Sequence, residues 1–198
     1  MTLDGVMQAP GNPEKDRDGG FDQGGWSLNY RDGMIHGLVD SAMATDHDLL
    51  LGRRTYEIFH ARFPKANDPV ATWKFNRATR FVVTQRPETA LWENNVEASR
   101  DPAAELAALK ARDGPDPSIS GSATLVQLLL THGLVDQFQL WVLALALSTG
   151  KRLFGAGTVP TGLKLESSVA SATGMLVLDY VKADRAASRW IRRQQAVG

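Results

Sequence analysis

A chain of 198 residues, 43% of them hydrophobic, holds one α/β domain with a sizeable core and leaves no room for a second of full size. Its 22 basic and 22 acidic residues balance, which excludes a global field for nucleic acid or an anionic membrane, so any anion site must be local. The lack of cysteine excludes disulfides, thiolate metal sites and a cysteine nucleophile and fits a cytoplasmic location, while no apolar run reaches the roughly 20 residues of a bilayer span and the start lacks the pattern of a secretory leader.

In chain order, Gly11 to Gly25 concentrates glycine, proline and charge and predicts a loop, long enough that a role is expected of it. Met34, Ile35, Leu38, Val39, Ala42 and Met43 recur at helical spacing, and Leu49-Leu50-Leu51 follows as a short buried strand closed by Gly52. Arg53 to Phe59 reads as a helix entry, Val70 to Ala78 as another short helix, and Arg80 to Thr84 as a strand by its β-branched and aromatic content. Asp101 to Arg112 opens on Asp-Pro and continues in alanine and leucine, which predicts a helix. Ser118-Ile119-Ser120 is a weak strand ending at Gly121, with Ser122 placed to cap a helix that carries Leu125, Val126, Leu128 and Leu129. Val135 to Leu147, Leu163 to Val169 and Met175 to Val181 read as three strands. The apolar run Leu140 to Leu147 is expected at the centre of a sheet, and Thr173-Gly174 is expected to turn the last two strands into a hairpin. Strands alternating with helices, then consecutive strands, predict a mixed, mostly parallel sheet with an antiparallel edge over residues 1–183, and a frayed basic tail over 184–198.

Two places have the order strand, glycine, helix start, where backbone N–H groups converge and the helix dipole favours negative charge. At Gly52-Arg53-Arg54-Thr55 the glycine admits a close approach, two arginines supply charge and a hydroxyl can cap the helix or bond a phosphate. At Ser120-Gly121-Ser122-Ala123-Thr124 small residues leave room for a pyrophosphate. Either alone reads as an ordinary capped turn; together they describe a site for a molecule with several phosphates. Thr84-Gln85-Arg86, at a strand end, adds a hydroxyl and a guanidinium able to hold the further phosphate that separates NADPH from NADH. No metal is expected, because His36, His47, His60 and His132 lack a ligand spacing.

These residues carry a resemblance. Leu49 to Glu57 resembles the Gly-Arg-Lys-Thr turn of dihydrofolate reductases. The fuller pattern is similar to the reductase domain of riboflavin biosynthesis and its stand-alone relatives: Thr2-Leu3-Asp4-Gly5-Val6-Met7-Gln8-Ala9-Pro10-Gly11, Ser120 to Gln127, His132-Gly133-Leu134-Val135-Asp136 and Gly150-Lys151-Arg152-Leu153-Phe154-Gly155. The resemblance implies a dihydrofolate-reductase-like three-layer α/β/α sandwich and a homodimer. It also implies NADPH held by Gly52, Arg53, Arg54, Thr55, by Thr84, Gln85, Arg86, and by Ser120, Gly121, Ser122, Ala123 and Thr124. Asp4, on the Leu-Asp-Gly loop, is the expected catalytic carboxylate beside nicotinamide or substrate, although an aspartate that steadies the turn before Gly5 fits the residue equally. Trp26 is the candidate to stack on a flat substrate, with a core-capping role as the alternative.

The implied activity is hydride transfer from NADPH to a small heterocyclic (pterin- or pyrimidine-like) or carbonyl substrate, in the manner of 5-amino-6-(5-phosphoribosylamino)uracil reductase or dihydrofolate reductase. A non-catalytic nucleotide-binding or regulatory protein is the alternative. Two departures bear on it. Relatives carry a strand before the Leu-Asp-Gly loop, so the first strand is expected to be missing and a start codon upstream is the preferred explanation. The usual Pro-x-x-Leu-Gly-x-Gly stands here as Ala144-Leu145-Ala146-Leu147-Ser148-Thr149-Gly150, where Ser148 is expected to narrow the substrate side.

Overall fold

Three leucines in succession cannot be satisfied by a strand with one wet face, and Leu49, Leu50 and Leu51 are accordingly all buried in β1 (Asp48–Gly52). The computed structural model describes residues 1–30, 32–35, 37–38, 48–62, 78–86, 96–99, 102–113 and 117–183. By its contacts the chain divides into a central unit, Gly37–Leu128, and a terminal unit formed by Met1–His36 with Leu129–Gly198.

In the central unit β1, β2 (Arg80–Val83), β3 (Val96–Ser99) and β4 (Pro117–Ile119) make an all-parallel sheet in the order β3-β2-β1-β4. Helix α1 (Arg53–Arg62) leaves β1 directly, and α2 (Pro102–Lys110) and α3 (Ala123–Thr131) follow. The chain steps from β1 to β2 and β3 on one side and then returns to place β4 on the other side of β1. That reversal makes the carboxyl ends of β1 and β4 a topological switch point, the place where open α/β sheets bind ligands. Tyr56, Val82, Leu125 and Val126 fill the core beside the three leucines. Strand β3 was not expected from the sequence. In sequence Arg80 reads only as the start of a strand, yet among the described residues it is the largest wholly buried side chain; burial holds its pKa below the usual range, opposed by the nearby Tyr56.

The terminal unit carries an antiparallel sheet, β5 (Gln137–Val142), β6 (Leu163–Ala170) and β7 (Leu176–Lys182), in the order β5-β7-β6. Gly174, at φ +81°, turns β6 into β7, as its sequence signal predicts. The strand expected from Val135 to Leu147 is shorter, and β5 lies at a sheet edge rather than the centre. Past Val142 the backbone is taken by the first residues of the chain. Leu143 N–H donates to the Met1 carbonyl and Leu3 N–H to the Leu145 carbonyl, both at 2.8 Å, while a tight turn returns Leu145 N–H to Leu143. The apolar core here is Val6, Ala9 and Phe21, with Trp26 and Leu147 packed against it. Gly150, at φ +114°, must lack a side chain, because a Cβ there would sit 2.8 Å from Val6 Cγ1 and 2.9 Å from the Phe21 ring.

The architecture is therefore mixed α/β, with a parallel sheet and a separate antiparallel sheet. Among the described residues no helix is long and apolar enough to cross a membrane. The helices expected over Met34 to Met43 and Val70 to Ala78 lie mostly outside the described residues, and the tail 184–198 lies wholly outside them.

Candidate functional site

Strand register decides whether the three expected corners meet. Gly52 pairs with Val83, so Thr84 follows immediately beyond it on the next strand; Leu50 pairs with Ile119, so Ser120 and Gly121 come up beside Leu51 and Gly52. Neighbouring strands lie about 4.8 Å apart, and all three corners thus share the carboxyl edge of the parallel sheet, at and beside its switch point.

Two of them are stitched together by a serine. Gly52 N–H donates to Ser122 Oγ at 2.8 Å, and the Ser122 hydroxyl donates to Thr55 Oγ1 at 2.8 Å. A Cβ on Gly52 would stand 3.1 Å from Ser122 Oγ, and one on Gly121, at φ +68°, 3.4 Å from Thr55 Oγ1, so both glycines make room for this contact. Ser122 was expected to cap the helix that follows. Its hydroxyl instead turns sideways, with the residue itself in the left-handed region at φ +54°, and only its carbonyl enters α3 by accepting Val126 N–H at 2.9 Å. The first turns of α1 and α3 consequently begin side by side, each with N–H groups at its start.

The other expected cofactor residues distribute as follows. Thr84 is buried and its Oγ1 accepts Arg86 N–H at 3.0 Å, which closes a tight turn and leaves Gln85 and Arg86 exposed. Arg53 pairs along the helix with Glu57 at 2.6 Å, and Arg54 is exposed next to it. Ser120 and Thr124 are exposed, and Ala123 opens α3. The central unit thus brings small residues, hydroxyls and three guanidinium groups to one sheet edge, a donor set suited to a polyanionic dinucleotide.

In the terminal unit the carboxylate of Asp4 is engaged on both oxygens. Oδ1 accepts Thr2 Oγ1 at 2.6 Å and Leu147 N–H at 3.2 Å; Oδ2 accepts Ser148 N–H at 2.8 Å and an Arg152 N–H at 3.4 Å. The Thr2 hydroxyl and these backbone donors hold its pKa down at about 2. Trp26 donates its indole N–H to the Gln8 carbonyl at 2.9 Å and rests against the Val6 cluster, the arrangement of a residue that closes a core. Gln8, which belongs to the Thr2 to Gly11 motif but carries no expected role there, is buried. Its amide donates to the carbonyls of Asp16 and Asp18 and accepts Lys151 N–H. Lys151 Nζ bonds the carboxylates of Asp16 and Asp18 at 2.8 and 2.7 Å; burial lowers its pKa, but these two partners outweigh burial and raise it. The pair anchors the glycine-rich loop.

Residues 1–177 match the RibD C-terminal domain. The chain belongs to this family. The Bacillus subtilis (strain 168) protein YyaP, described as uncharacterized, is 25% identical over 183 residues, which cover 91% of this chain and 90% of that one. Among solved structures, a pyrimidine reductase-like protein from Corynebacterium diphtheriae superposes with a TM-score of 0.60 at 15% identity, over 93% of this chain and 89% of that one. Dihydrofolate reductase from Enterococcus faecalis, complexed with NADP(H) and RAB-propyl, gives a TM-score of 0.58 at 15% identity, over 93% of each chain. The RibD C-terminal domain chain therefore has a reductase-type, dihydrofolate-reductase-like fold.

Proposed function

We propose that this RibD C-terminal domain protein is an NADPH-dependent reductase that passes a hydride to a small heterocyclic, pterin- or pyrimidine-like, or carbonyl acceptor. The observation that carries the reading is the convergence of the Gly52, Thr84 and Gly121 corners on one carboxyl edge, with Arg53, Arg54 and Arg86 beside them. Gly52 to Thr55 and Ser120 to Thr124 would hold the pyrophosphate through helix-start N–H groups, and Thr84, Gln85 and Arg86 the additional phosphate. When bound, the nicotinamide supplies the hydride, so the protein has to orient the reactants, exclude water and let a proton reach the acceptor. Asp4, ionised near neutral pH, accepts hydrogen bonds and does not donate a proton, so the proton comes from solvent. The reading extends to a homodimer, supported by the exposed Leu165, Val169 and Leu176 of the antiparallel sheet, and to a cytoplasmic location, in keeping with a chain free of cysteine.

Titrating NADPH against tryptophan emission tests the reading. Saturable quenching is expected, at lower concentration for NADPH than for NADH, with Arg86→Ala narrowing that preference about tenfold, the worth of one charge-assisted contact. No quenching at near-millimolar NADPH sinks the proposal.

A further inference from the structure

A hydroxyl has one proton to give, and in the central unit a backbone donor fixes where each proton goes. Gly52 N–H can only donate, and it donates to Ser122 Oγ; the Ser122 proton passes on to Thr55 Oγ1, each step at 2.8 Å. Thr55 is therefore the end of the relay. It is buried, at 9% exposure, and its own proton meets no acceptor among the described residues. A buried donor left over in this way calls for an acceptor from outside the chain.

The space beside that hydroxyl is clear. A Cβ placed on Gly121 would stand 3.4 Å from Thr55 Oγ1 and 3.6 Å from Thr55 Cγ2, and apart from its chain neighbours no other atom of the described residues comes within 4 Å. Thr55 lies in the first turn of α1 and Gly121 just before α3, so helix-start N–H groups border the space and favour an acceptor with negative charge. We propose that Ser122 is a positioning residue of the dinucleotide site: by giving its proton to Thr55 Oγ1 it turns the Thr55 proton toward a phosphate oxygen held at the two helix starts. The group this selects is a phosphate with no proton to donate, such as the pyrophosphate diester of a dinucleotide. For the identity of the cofactor the inference rests on the reductase reading.

The test uses the full chain as wild type, Ser122→Gly, Thr55→Val, Thr55→Ser, and each Thr55 variant combined with Ser122→Gly. Glycine takes φ +54° without strain, so Ser122→Gly removes the hydroxyl and keeps the turn. NADPH affinity is read from tryptophan quenching, and the Tm shift produced by inorganic pyrophosphate is read on the same set. Ser122→Gly and Thr55→Val should each weaken NADPH about tenfold, as for one charge-assisted bond, and their combination should be within about twofold of Thr55→Val alone. Thr55→Ser, which keeps the hydroxyl, should bind as wild type does and should again lose about tenfold when Ser122→Gly is added. A serine that merely stiffened the corners would weaken binding by the same factor with or without the Thr55 hydroxyl. Losses that multiply in the Thr55→Val background, or a Ser122→Gly affinity equal to wild type, therefore overturn the proposal. Absent quenching in the wild type overturns the reductase reading instead; the pyrophosphate shift then decides the role of Ser122, which falls if that shift is missing in the wild type or undiminished in Ser122→Gly.

Discussion

Among the described residues each unit holds one serine in the left-handed region, Ser122 at φ +54° and Ser148 at φ +66°, and the two are held there by opposite means. At Ser122 the side chain does the holding: its hydroxyl accepts Gly52 N–H and donates to Thr55, so it ties two sheet corners together and has little left for a ligand. At Ser148 the backbone is held instead, through N–H groups received by Asp4, and the hydroxyl stays outside the network. A residue of the same type in the same conformation is thus a structural stitch through its side chain in the central unit and a backbone corner with an exposed hydroxyl in the terminal unit.

Glycine substitutions break this contrast most severely. Gly150→Ala adds a Cβ within 3 Å of both Val6 and Phe21 and also forces a side chain onto φ +114°, so the terminal unit should lose about 3 kcal/mol from overpacking and left-handed strain combined. At Gly52 the new Cβ meets Ser122 Oγ at 3.1 Å, which can rotate away, and Ser122 Cβ at 3.3 Å, with Leu125 Cβ in ordinary contact at 3.9 Å. Gly52→Ala should therefore cost about 1 kcal/mol while weakening NADPH quenching, since the stitch opens. Urea unfolding of both variants decides it; equal losses would remove the distinction between a backbone packed on a core and a backbone packed on a movable hydroxyl.

The next effect separates the serines themselves. Ser122→Ala leaves Gly52 N–H without its acceptor and should cost about 1–3 kcal/mol, whereas Ser148→Ala removes no hydrogen bond and should stay within about 0.5 kcal/mol. Chemical denaturation of the pair measures the gap. If Ser148→Ala were as damaging as Ser122→Ala, the Ser148 hydroxyl would have to belong to the structure.

How far these features could be read beforehand follows from their range along the chain. The corners at Gly52, Thr84 and Gly121 are local patterns of strand, turn and helix start, and they could be named from the sequence. The stitch between Ser122 and Thr55 spans 67 positions and the clasp between Asp4 and Ser148 spans 144, and no periodicity reports on a contact between such distant residues. Apolarity misled at Leu140 to Leu147, since it marks burial and says nothing of which strand the backbone bonds to; past Val142 those bonds go to residues 1–3. Val96–Ser99 failed in the other direction, being four residues with little pattern that become a strand by pairing with β2. Arg80 resembles an exposed strand start in sequence and is wholly buried in the fold.

The smallest expected effect is also the most specific to the terminal unit. Asp4 has its pKa held at about 2, against 3.8 for an ordinary aspartate, chiefly by the Thr2 hydroxyl with support from Leu147 and Ser148 N–H. The folded state then binds fewer protons than the unfolded state between these two values, so the stability Asp4 contributes is complete above about pH 4 and disappears as pH falls through about 2. Urea midpoints of wild type and Asp4→Asn should accordingly differ by a constant amount from neutral pH down to about pH 5 and converge between about pH 4 and pH 2. Ser122→Ala, whose lost bonds involve no ionisable group, should keep its gap to wild type over the same range. A gap for Asp4→Asn that ignored pH would mean that the Ser148 turn is held by packing around Gly150 and not by the carboxylate.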